Sequence, residues 1–497
     1  MPIRPLSRAN RPAFPSTAKR TARALPAACA AISLWSGAAH AQTAPDSSNA
    51  PTPAGAGTLP SFTALWHQSN LLGDMGGIRS TLGNYGISLG LSETSEVLGN
   101  VSGGIHRGAD YDGLTQMSLG IDTQKAFGWE GGTFNISALQ IHGRDLSSDN
   151  LGTIQTASGI EADRATRLWE LWYQQSFFGG RADVKIGQQS IDQEFITSQG
   201  SSLFINTMMG WPTIPSFDMP SGGPAYPLST PGVRLRVLPT DTLTVLAGVF
   251  NGDPAGGPSA DPQQRDASGT MFSVHNGVLA IGEIQYAINQ PATGDMVGAG
   301  TQPSGLPGTY KLGFWYDSES FADQLLDNTG LSLANPASSG VPLMHHGDFS
   351  IYAVADQMIW RPDPQSTKSL NVFLRVMGAP PDQNAITFSA NGGITLKAPF
   401  EGRDSDTAGI GFGYAVVSPR LADLERDTVT YSGVSMPIQS NETFLELTYQ
   451  YQINPWWQVQ PDVQYVFNPG GGIANPNNPS KRVGDEAVLG MRTVITF

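Results

Sequence analysis

From about residue 85 onward, apolar and polar residues alternate along the chain with a period of two. The clearest runs set Leu445, Leu447, Tyr449 and Tyr451 against Glu446, Thr448, Gln450 and Gln452, and Leu370, Val372, Leu374 and Val376 against Asn371 and Arg375. Such alternation is typical of β-strands that have one apolar face and one polar face. The runs match the ~9–11 residues with which a tilted strand crosses a bilayer.

The pattern predicts an all-β fold with sixteen strands. These strands lie near residues 85–98, 114–124, 132–142, 167–177, 181–190, 232–238, 242–250, 276–288, 309–318, 348–360, 369–379, 385–397, 407–417, 441–453, 456–467 and 486–497. The sixth is short, and the twelfth is interrupted by Gly392-Gly393. The predicted architecture is an antiparallel transmembrane β-barrel over residues 85–497, with apolar side chains toward lipid and polar side chains toward a central pore.

The lengths of the connections support this barrel. From a periplasmic N-terminus, even-numbered connections should be short turns and odd-numbered ones longer outer loops. Tight turns at 178–180, 239–241 and 454–455 fall on even connections. Long stretches fall on odd connections, at 143–166, 191–231, 251–275, 319–347, 418–440 and 468–485. Two connections depart from the rule, because 289–308 is long and 380–384 is short.

Aromatic residues are concentrated at the strand ends. They include Trp129, Trp169, Trp360, Trp456, Trp457 and Phe467. Aromatic rings favour the boundary between lipid and water, so we interpret them as girdle residues, with ordinary β-core packing as the alternative. The last strand ends in Phe497, which resembles the recognition end of bacterial outer-membrane barrels and predicts contact with the barrel-assembly machinery.

The N-terminal segment predicts export. Residues 1–24 carry six basic residues and no acid, an apolar stretch follows at 25–39, and Ala39-His40-Ala41 offers a cleavage site, so residues 1–41 are predicted to be a signal peptide. Residues 42–60 form a flexible Pro/Ala-rich lead-in, and 61–84 a short periplasmic helical or capping segment. The predicted location is the outer membrane of a Gram-negative bacterium.

Composition narrows the possible functions. The sole cysteine, Cys29, lies in the predicted signal peptide, so disulfides and thiol catalysis are excluded from the mature chain. Removing six basic residues from 28 leaves 22 against 42 acidic residues, a formal net charge of −20. This charge disfavours nucleic-acid binding, and 10 Trp, 21 Phe and 13 Tyr disfavour disorder. The charge is expected mainly in outer loops, where it would favour a leak of cations.

Four segments carry a family resemblance. They are Leu71 to Arg79 (LLGDMGGIR), Gly99 to Gly104 (GNVSGG), Leu168 to Gln175 (LWELWYQQ), and the run from Gly187 through Asp192, Glu194 and Phe195 to Asn206. In this order and spacing they resemble the carbohydrate-selective outer-membrane porins of the OprB type, over roughly residues 61–497. The resemblance implies a sixteen-stranded barrel through which monosaccharides such as glucose diffuse into the periplasm. We further expect that no reaction is catalysed and no cofactor is bound. The long basic signal and the Pro/Ala lead-in depart from the family pattern.

Sugars are uncharged polyols, so a selective pore needs hydrogen-bonding groups of both positive and negative charge. It also needs aromatic faces against which the C–H surfaces of the sugar can pack. The candidate pore-lining and constriction residues are Glu170, Trp172, Asp192, Glu194, Arg234, Arg236, Glu283, Lys311, Arg375 and Arg492. A mixture of both signs fits polyols better than a ring of one sign, which would favour ions. The alternative is that these charges only neutralise one another inside a water-filled barrel.

The predicted third outer loop, residues 191–231, is unusually apolar. It contains Phe195, Leu203, Phe204, Ile205, Met208, Met209, Trp211, Phe217 and Tyr226. A loop with this composition is unfavourable in water. We therefore expect it to fold inward and narrow the barrel, with Asp192, Glu194 and Asp218 facing arginines on the opposite wall.

Other functions have weaker support in the sequence. His345-His346-Gly347-Asp348 could suggest a metal site, but two adjacent histidines seldom converge on one ion, so no metal is predicted. The chain contains neither Gly-x-Ser-x-Gly nor His-Glu-x-x-His. The alternatives are a general porin with little selectivity, an outer-membrane barrel enzyme, and an exported glycan-binding β protein. The expected partners are a small carbohydrate and outer-membrane lipid, and the expected assembly is a monomer or a homotrimer.

Overall fold

The computed structural model describes residues 68–257, 261–290 and 305–497. The predicted signal peptide, 1–41, and the predicted lead-in, 42–60, lie outside these residues. The strands are β1 Ile87–Gly104, β2 Gly108–Asp122, β3 Gly132–Gly143, β4 Ala165–Phe177, β5 Ala182–Gln189, β6 Thr230–Val237, β7 Leu243–Asn251, β8 Val278–Ile288, β9 Gly308–Asp327, β10 Pro342–Trp360, β11 Ser369–Gly378, β12 Ile386–Lys397, β13 Thr407–Val417, β14 Asn441–Asn454, β15 Trp457–Phe467, β16 Ala474–Asn475, β17 Asn478–Arg482 and β18 Gly484–Thr496. The α-helices are α1 Ile78–Asn84, α2 Thr123–Phe127, α3 Thr207–Gly210, α4 Thr213–Asp218, α5 Pro262–Arg265, α6 Pro419–Ser432 and α7 Pro469–Gly472.

Sixteen of the strands form one closed barrel. Each of β1 to β15 pairs antiparallel with its sequence neighbour, and β18 closes the barrel between β15 and β1. The short strands β16 and β17 pair only with each other, in the connection that precedes β18. The predicted sixteen-stranded antiparallel barrel is therefore confirmed. In the described ranges no helix has the length and apolar character to cross a membrane.

The two ends of the barrel differ in their connections. The end at which β2, β4, β6 and β14 finish has short links such as 178–181 and 455–456, and we call it the turn end. The other end, which we call the loop end, carries the long connections 144–164, 190–229, 252–277 and 418–440. Helix α1 lies at the turn end, where the backbone N–H of Leu71 donates to the carbonyl of Thr496 at 2.8 Å. This helix confirms the predicted short N-terminal helical segment.

Several strands run farther than the alternation predicted, all toward the loop end. β1 and β2 continue to a tight link at 105–107, and β9 and β10 continue to a link at 328–341. The short link predicted at 380–384 is present between β11 and β12. The extensions of β1 and β2 were missed because these positions are rich in Gly, Ser and Asp and do not alternate regularly with apolar residues, although their backbones still pair.

From the turn end to the middle of the barrel, the side chains follow the predicted orientation, with apolar residues outward and polar residues toward the lumen. Leu445 and Leu447 are 46% and 53% exposed on the outer surface, whereas Glu446 between them is 1% exposed. Because side chains alternate across a strand, the apolar set of β14 faces outward and the polar set faces the lumen. The directional assumption on which a pore depends is thus met.

The glycine pair in β12 has a packing reason. The ring of Phe412 would lie 2.8 Å from a Cβ at Gly392, and the ring of Phe373 would lie equally close to a Cβ at Gly393. Aromatic rings of the two neighbouring strands therefore cover the bare backbone. This explains why β12 forms although Gly weakens an isolated strand.

Toward the loop end the lumen is apolar as well. Inward side chains Leu246, Ile281, Trp315 and Tyr352 are buried in a cluster with Trp211 and other residues of the 190–229 connection. A second cluster joins Phe204 and Met208 of that connection to Phe373 and Phe444 of the wall. The expectation of polar inward residues throughout is therefore wrong for this half, because the inward face packs against protein and not against water.

Candidate pore constriction

The connection between β5 and β6, residues 190–229, crosses the barrel interior, and we call it the third loop. Near β9, the Nζ of Lys311 donates to the carbonyl of Thr197 at 2.7 Å. Beside β10, Asp356 accepts the N–H of Gly200 at 2.9 Å. At β15, the side-chain amide of Gln460 donates to the carbonyl of Leu203 at 2.7 Å. These contacts lead from wall to wall, so the third loop narrows the lumen.

Arg375 on β11 is the central clamp of the third loop. Its guanidinium donates to the carbonyls of Ile196 at 3.1 Å, Met209 at 3.0 Å and Gly210 at 2.9 Å, and also to that of Met208. The side chain is only 1% exposed. A guanidinium offers five donors in a fixed plane, so one arginine can hold several carbonyls of a folded loop at once.

Inward carboxylates hold the backbone N–H groups of the same loop. Glu446 on β14 accepts from the N–H of Ile205 at 2.5 Å, and Glu283 on β8 accepts from that of Ile196 at 2.8 Å. Buried amides that lie outside regular secondary structure need other partners, because unpaired buried amides are costly. These carboxylates accept hydrogen bonds from loop N–H groups, which explains why acidic side chains are buried next to the apolar clusters.

The wall next to the start of the third loop carries a lumen ion network, formed by Asp183, Lys185, Glu194, Arg234 and Arg236. Glu194 pairs with Lys185 and with Arg234, whose Nε lies 2.6 Å from its carboxylate. Asp183 pairs with Arg234 and with Arg236, at 2.6 Å from the Nε of Arg236. Burial raises the pKa of Glu194, but Lys185 and Arg234 lower it by more, so its pKa lies below the ordinary value.

The predicted pairing of loop acids with arginines on the opposite wall is wrong for all three acids. Asp192 accepts from the Ser190 hydroxyl at 2.6 Å and from the N–H of Tyr226 at 3.1 Å. Asp218 accepts from the N–H of Ala385 at 3.0 Å. Glu194 does meet an arginine, but on the adjacent wall. Arg375 on β11 is engaged by loop carbonyls instead.

Burial also affects the acids of the third loop that lack a cation. It raises the pKa of Asp218 well above the ordinary aspartate value, and the nearby Asp348 raises it further. Burial likewise raises the pKa of Asp192, although the hydroxyl of Ser190 and the N–H of Tyr226 oppose this effect. A folded loop therefore favours the neutral form of Asp218.

Between the third loop and the turn end, the lumen is open to water and polar. Inward side chains such as Gln116, Asn135, Gln174 and Gln285 are partly exposed there. We call this space the vestibule. A cavity of about 140 Å³ on its wall is lined by Gln199, Gly200, Ser202, Leu203, Thr395, Thr407 and Gln450. The vestibule thus offers uncharged donors and acceptors in number.

Trp172 stands where the vestibule meets the lumen ion network. The Nζ of Lys185 lies 4.5 Å from the centre of its ring, within the range of a cation–π contact. Gln174, two residues along β4, accepts from Arg234 at 3.1 Å. One aromatic face, one amide and several paired charges therefore occupy the same stretch of wall.

The structure divides the predicted site residues into two groups. Trp172, Asp192, Glu194 and Arg236 are partly exposed and border the vestibule or the start of the third loop. Lys311 is also partly exposed, although its ammonium group donates a hydrogen bond to Thr197. The buried group consists of Glu170, Arg234, Glu283, Arg375 and Arg492. Arg492 pairs with Glu96 on the neighbouring strand, and Glu170 accepts the N–H of Ser190 at 3.2 Å.

Sequence reasoning missed several residues that build the site. Asp183 forms ion pairs with two arginines. Asp356 accepts hydrogen bonds from Ser198 and Gly200 of the third loop. Their inward positions on β5 and β10 could have been read from the alternation, but not their partners, which lie on other strands or in the loop. In the part of the chain that the structure describes, no three His, Asp or Glu side chains are grouped to hold a metal ion.

Comparisons with known proteins agree with this architecture. The family model described as carbohydrate-selective porin, OprB family, matches residues 106–497. Porin B of Pseudomonas aeruginosa is 25% identical over 425 residues, which cover 81% of this chain and 87% of that protein. A high-pH structure of Pseudomonas putida OprB has a TM-score of 0.76 at 23% identity, and covers 87% of this chain and 99% of its own. The low-pH structure has a TM-score of 0.52 at 18% identity, with the same coverage. At these identities the two structures show the fold alone.

Proposed function

The chain belongs to the carbohydrate-selective porin family, and from this premise we propose that small neutral sugars, glucose among them, pass its constriction along the wall that carries Trp172. The protein is an outer-membrane porin of a Gram-negative bacterium, and sugars diffuse through it passively. The turn end then faces the periplasm and the loop end faces the exterior. The vestibule is the periplasmic half of the path.

The observation that carries the proposal is the composition of this wall. Trp172 offers an aromatic face, against which the C–H surface of a sugar ring can pack. Gln174, Glu194 and Arg236 lie on the same wall and offer donors and acceptors to hydroxyl groups. Sugar hydroxyls both donate and accept, so a mixed set suits them.

The pairing of charges explains why neutral solutes are favoured. Each acid of the lumen ion network is bound by two cations, so neither sign is left as a ring that would attract counter-ions. A passing ion must compete with these pairs, whereas a sugar can bond to lone pairs and N–H groups that they leave unused. We therefore infer selectivity against charged solutes of equal size.

Liposome swelling tests the proposal. Purified protein is reconstituted, and swelling rates are compared for neutral sugars and for charged sugar derivatives of the same size. Neutral sugars should enter faster, and Trp172→Ala should reduce the sugar rate about fivefold while Trp172→Phe retains most of it, because the ring contributes about 1 kcal/mol. Equal rates for neutral and charged solutes would show instead a general porin with little selectivity.

The barrel-enzyme alternative has no support around His142. Its Nε2 lies 3.2 Å from the hydroxyl of Tyr111, and the Ser95 hydroxyl bonds to the same phenol at 3.0 Å. Tyr111 thus separates Ser95 from His142, so these residues do not form a nucleophile with its base. Relatives in this family are channels, and we propose that this chain likewise catalyses no reaction.

A further inference from the structure

Two aspartates lie directly opposite each other in the loop-end half of the barrel. Asp317 on β9 and Asp348 on β10 are register partners, and both are 0% exposed. Their neighbours Tyr316 and Phe349 are 43% and 46% exposed on the outer surface, so alternation turns both carboxylates inward. Like charges directly opposite each other destabilise a sheet. This pair therefore needs a compensating positive charge.

Each of the two carboxylates has one oxygen with a donor and one without. The N–H of Glu319 donates to Oδ1 of Asp317 at 2.8 Å. The side-chain amides of Gln383 and Asn384 donate to Oδ1 of Asp348 at 3.0 Å and 2.9 Å. Among the described residues, Oδ2 of both aspartates is buried and has no hydrogen-bond partner. Two carboxylate oxygens on neighbouring strands thus remain without a donor.

Two uncharged oxygens with the same deficit accompany this pair. Asn384 is 0% exposed, and its amide nitrogen donates to Asp348 and, at 2.9 Å, to the carbonyl of Pro380. Its Oδ1 has no partner within the described ranges. Ser350 is the next inward residue of β10 after Asp348, and its buried Oγ is likewise unpartnered there. Carboxylate, amide and hydroxyl oxygens therefore occur together on the same stretch of wall.

No basic side chain compensates the two carboxylates. In the part of the chain that the structure describes, neither Asp317 nor Asp348 takes part in an ion pair. His345 and His346 precede Asp348 on β10, but their imidazoles form hydrogen bonds with side chains of β9. One proton shared by the two aspartates would supply a single O–H donor, so further oxygens of the group would remain unpaired.

We propose that Asp317, Asp348, Ser350 and Asn384 form a binding site for one calcium ion. Calcium takes ~6–8 oxygen ligands in a flexible geometry, and carboxylates, amide oxygens and water are common among them. The two carboxylates balance the charge of the ion, and the amide, the hydroxyl and water complete its shell, so a third acidic side chain is not required. Magnesium demands a stricter octahedral geometry and gives up its water reluctantly, so it suits this mixed group less well.

The ion joins several parts of the loop end. Its aspartates lie on β9 and β10, and Asn384 lies on the link between β11 and β12. The next residue, Ala385, donates its N–H to Asp218 of the third loop and accepts the N–H of Ser418, which precedes α6, at 2.8 Å. A cation at this point therefore braces the connections around the outer mouth, on the side of the membrane that faces the exterior.

Terbium luminescence tests the site, with Tb³⁺ as the probe in metal-free, full-length protein. Trp315 is the register partner of Ser350, so excitation of its indole should sensitise a bound ion. We expect saturable luminescence in the wild type, which Ca²⁺ displaces at least tenfold more effectively than Mg²⁺. Asp317→Asn and Asp348→Asn should each weaken Tb³⁺ binding at least tenfold, whereas Asp423→Asn on the exposed surface of α6 should not. Unchanged binding in both Asn variants at β9 and β10 would overturn the proposal.

A second measurement does not depend on luminescence. The temperature at which the folded band disappears in heat-modifiable gel electrophoresis is compared in millimolar calcium and in EDTA. We expect calcium to raise this temperature by a few degrees in the wild type and in Trp315→Phe, which loses only the sensitiser. Asp317→Asn should remain folded and lose the calcium effect. Identical transitions of the wild type in calcium and in EDTA would mean that the aspartates share a proton only, and the proposal would fail.

Discussion

Arg375 on β11 and Arg236 on β6 both project into the lumen, yet their surroundings are opposite. Arg375, in the loop-end half, is 1% exposed and is occupied by four carbonyls of the third loop. Arg236, in the turn-end half, has a side chain that is 29% exposed and bonds to Asp183. The same residue type thus builds the constriction in one half and borders the path of the solute in the other. Burial, and not residue type, separates the two roles.

The largest effect is expected from Arg375→Ala. Loss of the guanidinium leaves buried carbonyls unpaired, which costs roughly 3 kcal/mol and releases the third loop from β11. Single-channel conductance in planar bilayers should rise several-fold. The matched control is Arg236→Ala, which removes an arginine that does not touch the loop. A folded Arg375→Ala barrel with unchanged conductance would contradict the role of this clamp.

A pH effect of intermediate size is expected from the loop-end half. Because the pKa of Asp218 is raised in the folded loop, its stabilising contribution is complete at low pH and is lost as the pH rises through the raised value. Conductance measured along a rising pH series should therefore increase, as the ionised carboxylate loosens the third loop. Asp218→Asn keeps an acceptor for the N–H of Ala385 and should flatten this increase. An unaltered pH profile in the variant would assign the effect to another group.

A smaller effect is expected from the turn-end half. Arg236→Gln removes one cation from the network while Arg234 still neutralises Asp183, so the fold should be unaffected. The reversal potential in a salt gradient should shift toward cation preference, by about twofold in permeability ratio. Arg236→Lys retains the charge and serves as the control. If Arg236→Lys shifts the potential as much as Arg236→Gln, geometry and not charge is responsible.

The smallest effect is expected for Gln450→Ala on the vestibule wall. Gln450 borders the cavity of about 140 Å³ and is partly exposed, so its loss should change stability by less than about 0.5 kcal/mol. Sugar flux in liposome swelling should change less than about twofold, since neighbouring hydroxyl and amide groups replace it. A large drop in flux would show that the solute binds at this cavity, and would extend the selective wall beyond Trp172.

Much of the fold could be predicted from the sequence, because each strand of a membrane barrel has one face toward lipid and one toward the lumen, and its residues alternate accordingly. The pattern around Leu445 and Glu446 indicated strand, face and membrane orientation together, since a strand between lipid and water has only one favourable orientation. The third loop was predictable as an inward segment, because Phe204 and Trp211 in a long connection need burial. The expectation of a polar inward face failed toward the loop end, where Ile281 and Phe373 face inward as apolar residues.

The sequence by itself determined the sixteen strands, the direction of their faces and the set of charged residues available to the lumen, because these depend on neighbours one or two positions apart. Only the tertiary structure decided which charges are buried under the third loop and which meet water, because those partners are distant in the chain. Arg375 and Met208 are separated by 167 positions, and Glu446 and Ile205 by 241. No local pattern encodes such a pairing; it follows from how the loop fills the closed barrel.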